Sequence, residues 1–168
     1  MADAQTPPAM GRFAGRSHHF PVRVYYEDTD AGGIVYHATY LRFCERARTE
    51  MMRLLGASHS RMVAETGVSF AVRRCEIDYK RPARLDDALE IVTTITDIGG
   101  ASLDAEQRVL RTRDGAAASA GDAAGAPPAE LVRVRLTLAC MTREGRPVRL
   151  PAPVRRALDQ LLAKQGQD

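Results

Sequence analysis

From Phe20 the chain alternates, Val22 and Val24 against Arg23 and Tyr25, which predicts a strand. Asp28 to Gly33 (DTDAGG) breaks that strand, as two glycines and two aspartates do. The period then becomes helical. Tyr40, Cys44, Ala47, Met51, Leu54 and Leu55 form one apolar stripe, with Arg42, Glu45, Arg46, Thr49 and Arg53 on the other faces. Thr39 is the expected N-cap and Gly56 the expected stop. A second short helix is predicted over Ser58 to Thr66, closed by Gly67.

Four strands are predicted next. In the first, Ala71, Cys75, Ile77 and Tyr79 alternate with Val72, Arg74, Glu76 and Asp78, and Pro82 closes the run. Leu89 to Ile98 and Ala101 to Arg113 flank a Gly99-Gly100 hairpin turn. Leu131 to Met141 alternates clearly, Val132, Val134, Leu136, Leu138 and Cys140 against Arg133, Arg135 and Thr137. A terminal amphipathic helix starts near Pro153, with Val154, Leu158, Leu161 and Leu162 inward. This order predicts an α+β domain, one curled antiparallel sheet wrapped around a single long central helix. Its edge strands stay open, so association with a second copy is expected.

Two segments fall outside the pattern. Residues 1–19, rich in Ala, Gly, Pro and Ser, are expected to be a flexible N-terminal arm ahead of one domain over 20–168. Residues 114–130 (DGAAASAGDAAGAPPAE) carry no large apolar side chain and are expected to be a disordered loop.

Composition narrows the function classes. Apolar residues are 45 % and charged residues 27 % of the 168, the range of a globular domain. Only Lys80 and Lys164 are lysine, so 24 − 2 = 22 of the basic residues are arginine. No basic run is interleaved with aromatics and no zinc or RNA-binding motif appears, so no nucleic-acid partner is expected. A net charge of +3 suits a binder of anionic small molecules. Cys44, Cys75 and Cys140 are far apart in apolar stretches and read as buried free thiols. No apolar run reaches the roughly 18–20 residues of a membrane span. Residues 1–20 lack the apolar middle of a signal peptide, so a cytoplasmic protein is expected.

The chemistry concentrates in one segment. Tyr25, Tyr26, Tyr36, Tyr40 and Phe43 are five of the nine aromatic residues, gathered beside the acidic Gly-rich turn. They suit a lined pocket or a tightly packed strand–helix junction. A calcium loop starting at Asp28 would place Gly32 at its fifth position and Thr39 where a bidentate Glu is needed, so that reading fails. A phosphate loop fails for want of its G-K-[ST] end. Asp28, Asp30 and His37 make a weak metal set without a second histidine, and no metal is expected. No nucleophile elbow supports a serine triad. There remains a carboxylate at a strand end, followed by glycines and a helix start. Glycines let backbone N–H groups approach a ligand, and a helix N-terminus supplies unpaired donors and a positive dipole end. Together these amount to an oxyanion hole beside a candidate base or nucleophile.

Tyr26 to Tyr40 (YEDTDAGGIVYHATY), continued by Leu41 to Glu50 (LRFCERARTE), resembles the signature of the 4-hydroxybenzoyl-CoA thioesterase family, and within it the Tol–Pal-associated (YbgC-like) acyl-CoA thioesterases. The resemblance is dense over 21–56. It continues more loosely through Glu76-Ile77-Asp78-Tyr79, Gly100 to Leu103 and Ala139-Cys140 to Arg149-Leu150-Pro151, about 140 residues in all. It implies a hotdog fold, subunits paired so that their sheets join, and a homodimer or homotetramer with sites at the interface. It implies Asp30 as the catalytic carboxylate, and a helix N-terminal amide at or near His37 that polarises the thioester carbonyl. Glu45 and Glu50 are then structural.

The resulting expectation is an acyl-CoA thioesterase with no cofactor, coenzyme A being part of the substrate. Asp30 acts as nucleophile or general base, a choice the sequence leaves open. His37 contributes its backbone, its ring or both. Asp28 is a turn or capping acid. Gly33, Tyr36 and Tyr40 bind substrate, the tyrosines as acyl-pocket lining or as core. Arg73, Arg74, Lys80, Arg81 and Arg84 are the cations available for the coenzyme's phosphates. Against hydrolysis stand a hotdog dehydratase, whose histidine motif is missing, and a non-catalytic acyl-CoA-binding or scaffold protein of the cell-envelope machinery.

Overall fold

Residues 10–112 and 128–163 are described by the computed structural model of the protein. Within them the order is β1 (Arg12–Ala14), β2 (Ser17–Arg23), a 3₁₀ turn (Tyr26–Asp28), α1 (Thr39–Leu54), α2 (His59–Thr66), β3 (Val68–Tyr79), β4 (Ala88–Ile98), β5 (Ser102–Arg111), β6 (Ala129–Thr142) and α3 (Ala152–Ala163). The strands form one antiparallel sheet in the order β1-β2-β4-β5-β6-β3.

The sheet's inner face is set by alternation. Ile91, Thr93 and Ile95 of β4 lie beside Val109, Gln107 and Ala105 of β5, which lie beside Val132, Val134 and Leu136 of β6. All nine are buried. This face packs on α1, whose stripe of Tyr40, Cys44, Ala47 and Met51 is buried as the period predicts. Phe43 and Met52 join it, and Leu54 ends at the surface. One polar bridge crosses the core. Gln107 Nε2 donates to the Cys44 carbonyl and to Thr93 Oγ1, both at 2.9 Å, while Arg48 Nη1 donates to Gln107 Oε1 at 2.7 Å. A buried amide with its hydrogen-bonding capacity used in this way fixes the helix on the sheet.

The expected arm does not hold for residues 10–19. β1 and β2 form a hairpin across Gly15, which takes φ +56° as the first residue of a two-residue loop. β2 then pairs along β4 from Ser17↔Thr94 to Arg23↔Ala88. Burial of His18 and its ring contacts with Phe13 and Phe20 outweigh a local composition poor in strand formers. The expected loop at 114–130 is corrected at its end, where Ala129 and Glu130 open β6 opposite Arg111 and Leu110; residues 114–127 lie outside those described.

β3 holds a second correction. A bulge at Arg73 puts Val72, opposite Leu138, on the same face as Cys75, opposite Leu136. Val72, Cys75, Ile77 and Tyr79 therefore face inward, where the plain alternation had grouped Ala71 with them. Among the described residues β3 is an edge strand bonded only to β6, so this inner face is partly uncovered. Cys75 is exposed for that reason, whereas Cys44 and Cys140 are buried as expected.

Candidate active site

Between β2 and α1 the chain forms a loop closed by its own backbone. Asp28 is buried, and its Oδ2 accepts the Tyr25 N–H at 2.9 Å, capping the 3₁₀ turn. Its carbonyl accepts the Tyr36 N–H at 2.9 Å, and Thr29 bridges Val35. Inside that ring the Asp30 N–H donates to the Ile34 carbonyl and the Gly33 N–H to the Asp30 carbonyl, both at 3.0 Å. Gly33 sits at φ +72°, a region L side chains avoid. The Asp30 carboxylate is left at the exposed tip, with Oδ1 accepting the Gly32 N–H at 2.7 Å.

The helix starts without a side-chain cap. Ala38 holds the N-cap position, and the expected cap, Thr39, is the first helical residue. Its N–H closes a turn by donating to the Tyr36 carbonyl at 2.8 Å. Of the candidate donors from Gly33 onward, Gly33, Val35 and Tyr36 have their N–H groups engaged. No backbone acceptor among the described residues takes the N–H of His37 or Ala38. A helix start with free N–H groups and a positive dipole end is suited to hold a developing oxyanion.

These pieces meet in a cleft of ≈ 410 Å³, where Asp30 and His37 face Tyr79 and the segment Lys80-Arg81-Pro82, with Tyr40 at its base. Tyr40 is 2 % exposed, and its hydroxyl accepts the Ala83 N–H at 2.8 Å. Burial pushes its phenol above the ordinary value, so it stays protonated. The wall beyond is pinned from below. Buried Asp87 accepts Arg84 N–H at 2.9 Å and Arg111 Nε at 3.0 Å, while Arg111 Nη2 donates to the Pro82 carbonyl at 2.7 Å. Val35 N–H donates to the Ala83 carbonyl at 2.9 Å, tying the Asp30 loop to this wall.

Not every expected residue lines the cleft. Gly33 shapes the loop, and Tyr36 lies at the surface with its ring 4.4 Å from that of His37. Glu45 accepts from Thr49 Oγ1 at 2.9 Å and Glu50 pairs with Arg53, so both are occupied on α1 away from Asp30. Among the cations, Lys80 and Arg81 border the cleft, and Lys80 pairs with Glu130, which Arg133 and Lys80 together bring down to about 2. Arg74 is spent on Glu76. Among the described residues no cluster of three His, Cys, Asp or Glu side chains could hold a metal. Tyr79, Asp87 and Arg111 were not singled out as site residues from the sequence. Only the Glu76-to-Tyr79 stretch of the resemblance pointed near one of them.

The profile of the thioesterase-like superfamily matches residues 24–158. An acyl-CoA thioester hydrolase YbgC of Escherichia coli is 55 % identical over 95 residues, 56 % of this chain and 70 % of the relative. A probable thioesterase of Bartonella henselae, 36 % identical, superposes with a TM-score of 0.69 over 80 % of this chain and 99 % of that one. A mutant 4-hydroxybenzoyl-CoA thioesterase complexed with 4-hydroxybenzoyl-CoA superposes with a TM-score of 0.73 at 22 % identity, over 85 % and 99 %. The architecture is the hotdog fold of these thioesterases.

Proposed function

The chain belongs to the thioesterase-like superfamily, and we propose that it is an acyl-CoA thioester hydrolase whose chemistry is carried by Asp30 and the start of α1. The supporting observation is that one cleft brings together an exposed carboxylate without an ion-pair partner and a helix start whose N–H groups at His37 and Ala38 have no backbone acceptor, both among the described residues. A thioester needs little help with its leaving group, since a thiolate departs readily near neutral pH. The protein must supply a nucleophile and hold the oxyanion. Asp30 attacks the thioester carbon or takes a proton from the water that does. The His37 N–H receives the negative charge that builds on the carbonyl oxygen, a donor of the kind worth about 10²–10³ in rate. If Asp30 attacks, coenzyme A leaves as thiolate to give an acyl–Asp30 anhydride, which water then cleaves to release the acyl group as carboxylate and restore Asp30. If Asp30 acts as base, water adds directly, coenzyme A leaves as thiolate, and the proton held by Asp30 passes to the thiolate or to solvent.

Lys80 and Arg81, at the rim, are suited to the coenzyme's phosphates, and Tyr40 to the floor under the acyl group. Assembly is part of the same proposal. β3 offers an unpaired edge of 12 residues, with Val72 and Tyr79 about half exposed on its inner face. A second copy adding its own β3 would pair both. A cytoplasmic setting follows from a coenzyme A substrate, and association with the Tol–Pal machinery rests on the sequence resemblance alone. Among the described residues no helix is long and apolar enough to cross a membrane.

The test is release of free coenzyme A thiol from short, medium, long and aromatic acyl-CoA by the pure protein. Turnover on at least one is expected. Tight binding of acyl-CoA without thiol release on any would replace the enzyme with an acyl-CoA-binding protein.

A further inference from the structure

His37 has peptide units on either side, and each has its carbonyl anchored. The Tyr36 carbonyl accepts from Thr39 N–H at 2.8 Å, inside the turn that opens α1. The His37 carbonyl accepts from the hydroxyl of Tyr79 at 2.9 Å, a bond reaching across 42 residues from the end of β3. A peptide unit is planar, so holding its C=O holds its plane. The His37 N–H lies in the 36–37 plane, held through Thr39, and the Ala38 N–H lies in the 37–38 plane, held through Tyr79, so each of the two free donors at the helix start has its own anchor. Without the second anchor the turn keeps only the bond from Thr39, and the 37–38 plane is free to rock.

We infer that Tyr79 is a positioning residue for hydrolysis, its hydroxyl aiming the Ala38 N–H, the second free donor at the helix start, at the thioester carbonyl. The inference rests on the reading of Asp30 and His37 proposed above and adds a second donor beside His37 and the residue that orients it. Three further observations agree with it. The bulge at Arg73 places Tyr79 on the inner face of β3, which is what lets the ring point toward α1. The ring is braced edge-on by Tyr40 at 5.9 Å and by His37 at 6.4 Å, so the hydroxyl is held in place by packing as well as by its bond. Burial pushes the Tyr79 phenol above its ordinary value, so it remains a donor throughout the neutral range. A carbonyl with no hydrogen of its own requires that.

Tyr79→Phe removes one oxygen and keeps the braced ring, so it separates aiming from packing. Expected is a fall in kcat of about 10- to 100-fold, the scale of a misdirected donor, with KM within about threefold and a near-native melting temperature. A spectroscopic readout goes with it. In the slow Asp30→Asn background, the infrared carbonyl band of bound acyl-CoA should lie below its position in solution, because the carbonyl accepts a hydrogen bond. Adding Tyr79→Phe should return the band toward the solution value. Native kcat in Tyr79→Phe overturns the inference, as does a lower melting temperature with an unmoved band, which would make the hydroxyl merely structural. Should Asp30→Asn itself turn over at the native rate, the proposed carboxylate fails. The kcat of Tyr79→Phe in the native background still decides the role of Tyr79.

Discussion

The hydroxyl of Tyr40 accepts the N–H of Ala83 at 2.8 Å, a buried bond joining α1 to the wall of the Asp30 cleft across 43 residues. Deleting the oxygen strands a buried donor. Tyr40→Phe is therefore expected to destabilise the fold by about 1–3 kcal/mol, the cost of an unsatisfied buried N–H, although ring packing is unchanged. Denaturant unfolding measures this. No loss of stability would mean that the Ala83 N–H finds another acceptor.

The wall has a second tether in Asp87, whose side chain is 1 % exposed and paired with Arg111. Asp87→Ala leaves the partly buried guanidinium without a counter-charge and frees Arg84 N–H as well. Breaking a buried pair from one side costs about 3–5 kcal/mol. Because Arg111 also holds the Pro82 carbonyl, KM for acyl-CoA is expected to rise at temperatures where the variant is still folded. A stable variant with unchanged KM would detach this pair from the site.

The chemistry itself gives a ranked series. Asp30→Asn keeps side-chain size and the acceptor for Gly32 N–H but loses charge and basicity. Hydrolysis should fall by several orders of magnitude while acyl-CoA binding survives. His37→Ala should do less, because the backbone N–H remains. Asp28→Ala should lower stability by about 1 kcal/mol through the lost cap on Tyr25 N–H, with a smaller effect on rate. Steady-state kinetics on the three variants checks the order. Wild-type turnover in Asp30→Asn would remove that carboxylate from the mechanism.

How far the site was legible depends on the sequence distance between its parts. Asp30, the glycines and His37 lie within one short segment, so their types and spacing expose them. The ends of α2 and the turn after β4 are legible for the same reason, since Gly67 and Gly99-Gly100 stand where the pattern breaks. Asp87 meets Arg111 through the β4–β5 pairing, but Tyr79 and Pro82 come to the same wall only because β6 lies between β3 and β5, an order no local pattern reveals. The bulge at Arg73 is hidden too, because Ala71 and Val72 are both apolar and either could face inward. At the N-terminus, composition misleads. A Gly- and Ser-rich segment has little strand propensity, but β4 had an unpaired edge and His18 a buried place beside it.

Assembly is the next expectation. With β3 open along 12 residues and its inner face half covered, the protein is expected to be at least a dimer by light scattering at micromolar concentration. Ile77→Pro puts a residue without an N–H, and with fixed φ, into that edge near its C-terminal end. It should shift the mass toward the monomer and lower activity with it. A fully active monomer would take the interface out of the site.

The last expectation concerns acid. His18 is fully buried, and its Nε2 lies 2.8 Å from the Met10 carbonyl, which can only accept, so Nε2 carries the proton. Nδ1 has no partner, and protonating it would bury a charge with an unmatched donor. Burial accordingly holds the His18 imidazole below its ordinary 6.5. His59, half-buried near Glu45 and Arg48 with Nε2 unpartnered, is lowered for the same reason. The sign follows from proton counting. Above pH 6.5 neither state binds the proton and the stability is fully present; below it the unfolded chain takes up protons that the native imidazoles refuse. Stability should therefore fall as pH drops from 6.5 through the lowered native values. His18→Gln keeps an N–H for the Met10 carbonyl and cannot titrate. Its melting temperature should lose less than that of the native protein between pH 7.5 and pH 5, the remainder belonging to His59. Equal slopes in the two proteins would show that His18 takes up its proton in the folded state as readily as in the unfolded one, against its buried place in β2 opposite Phe13.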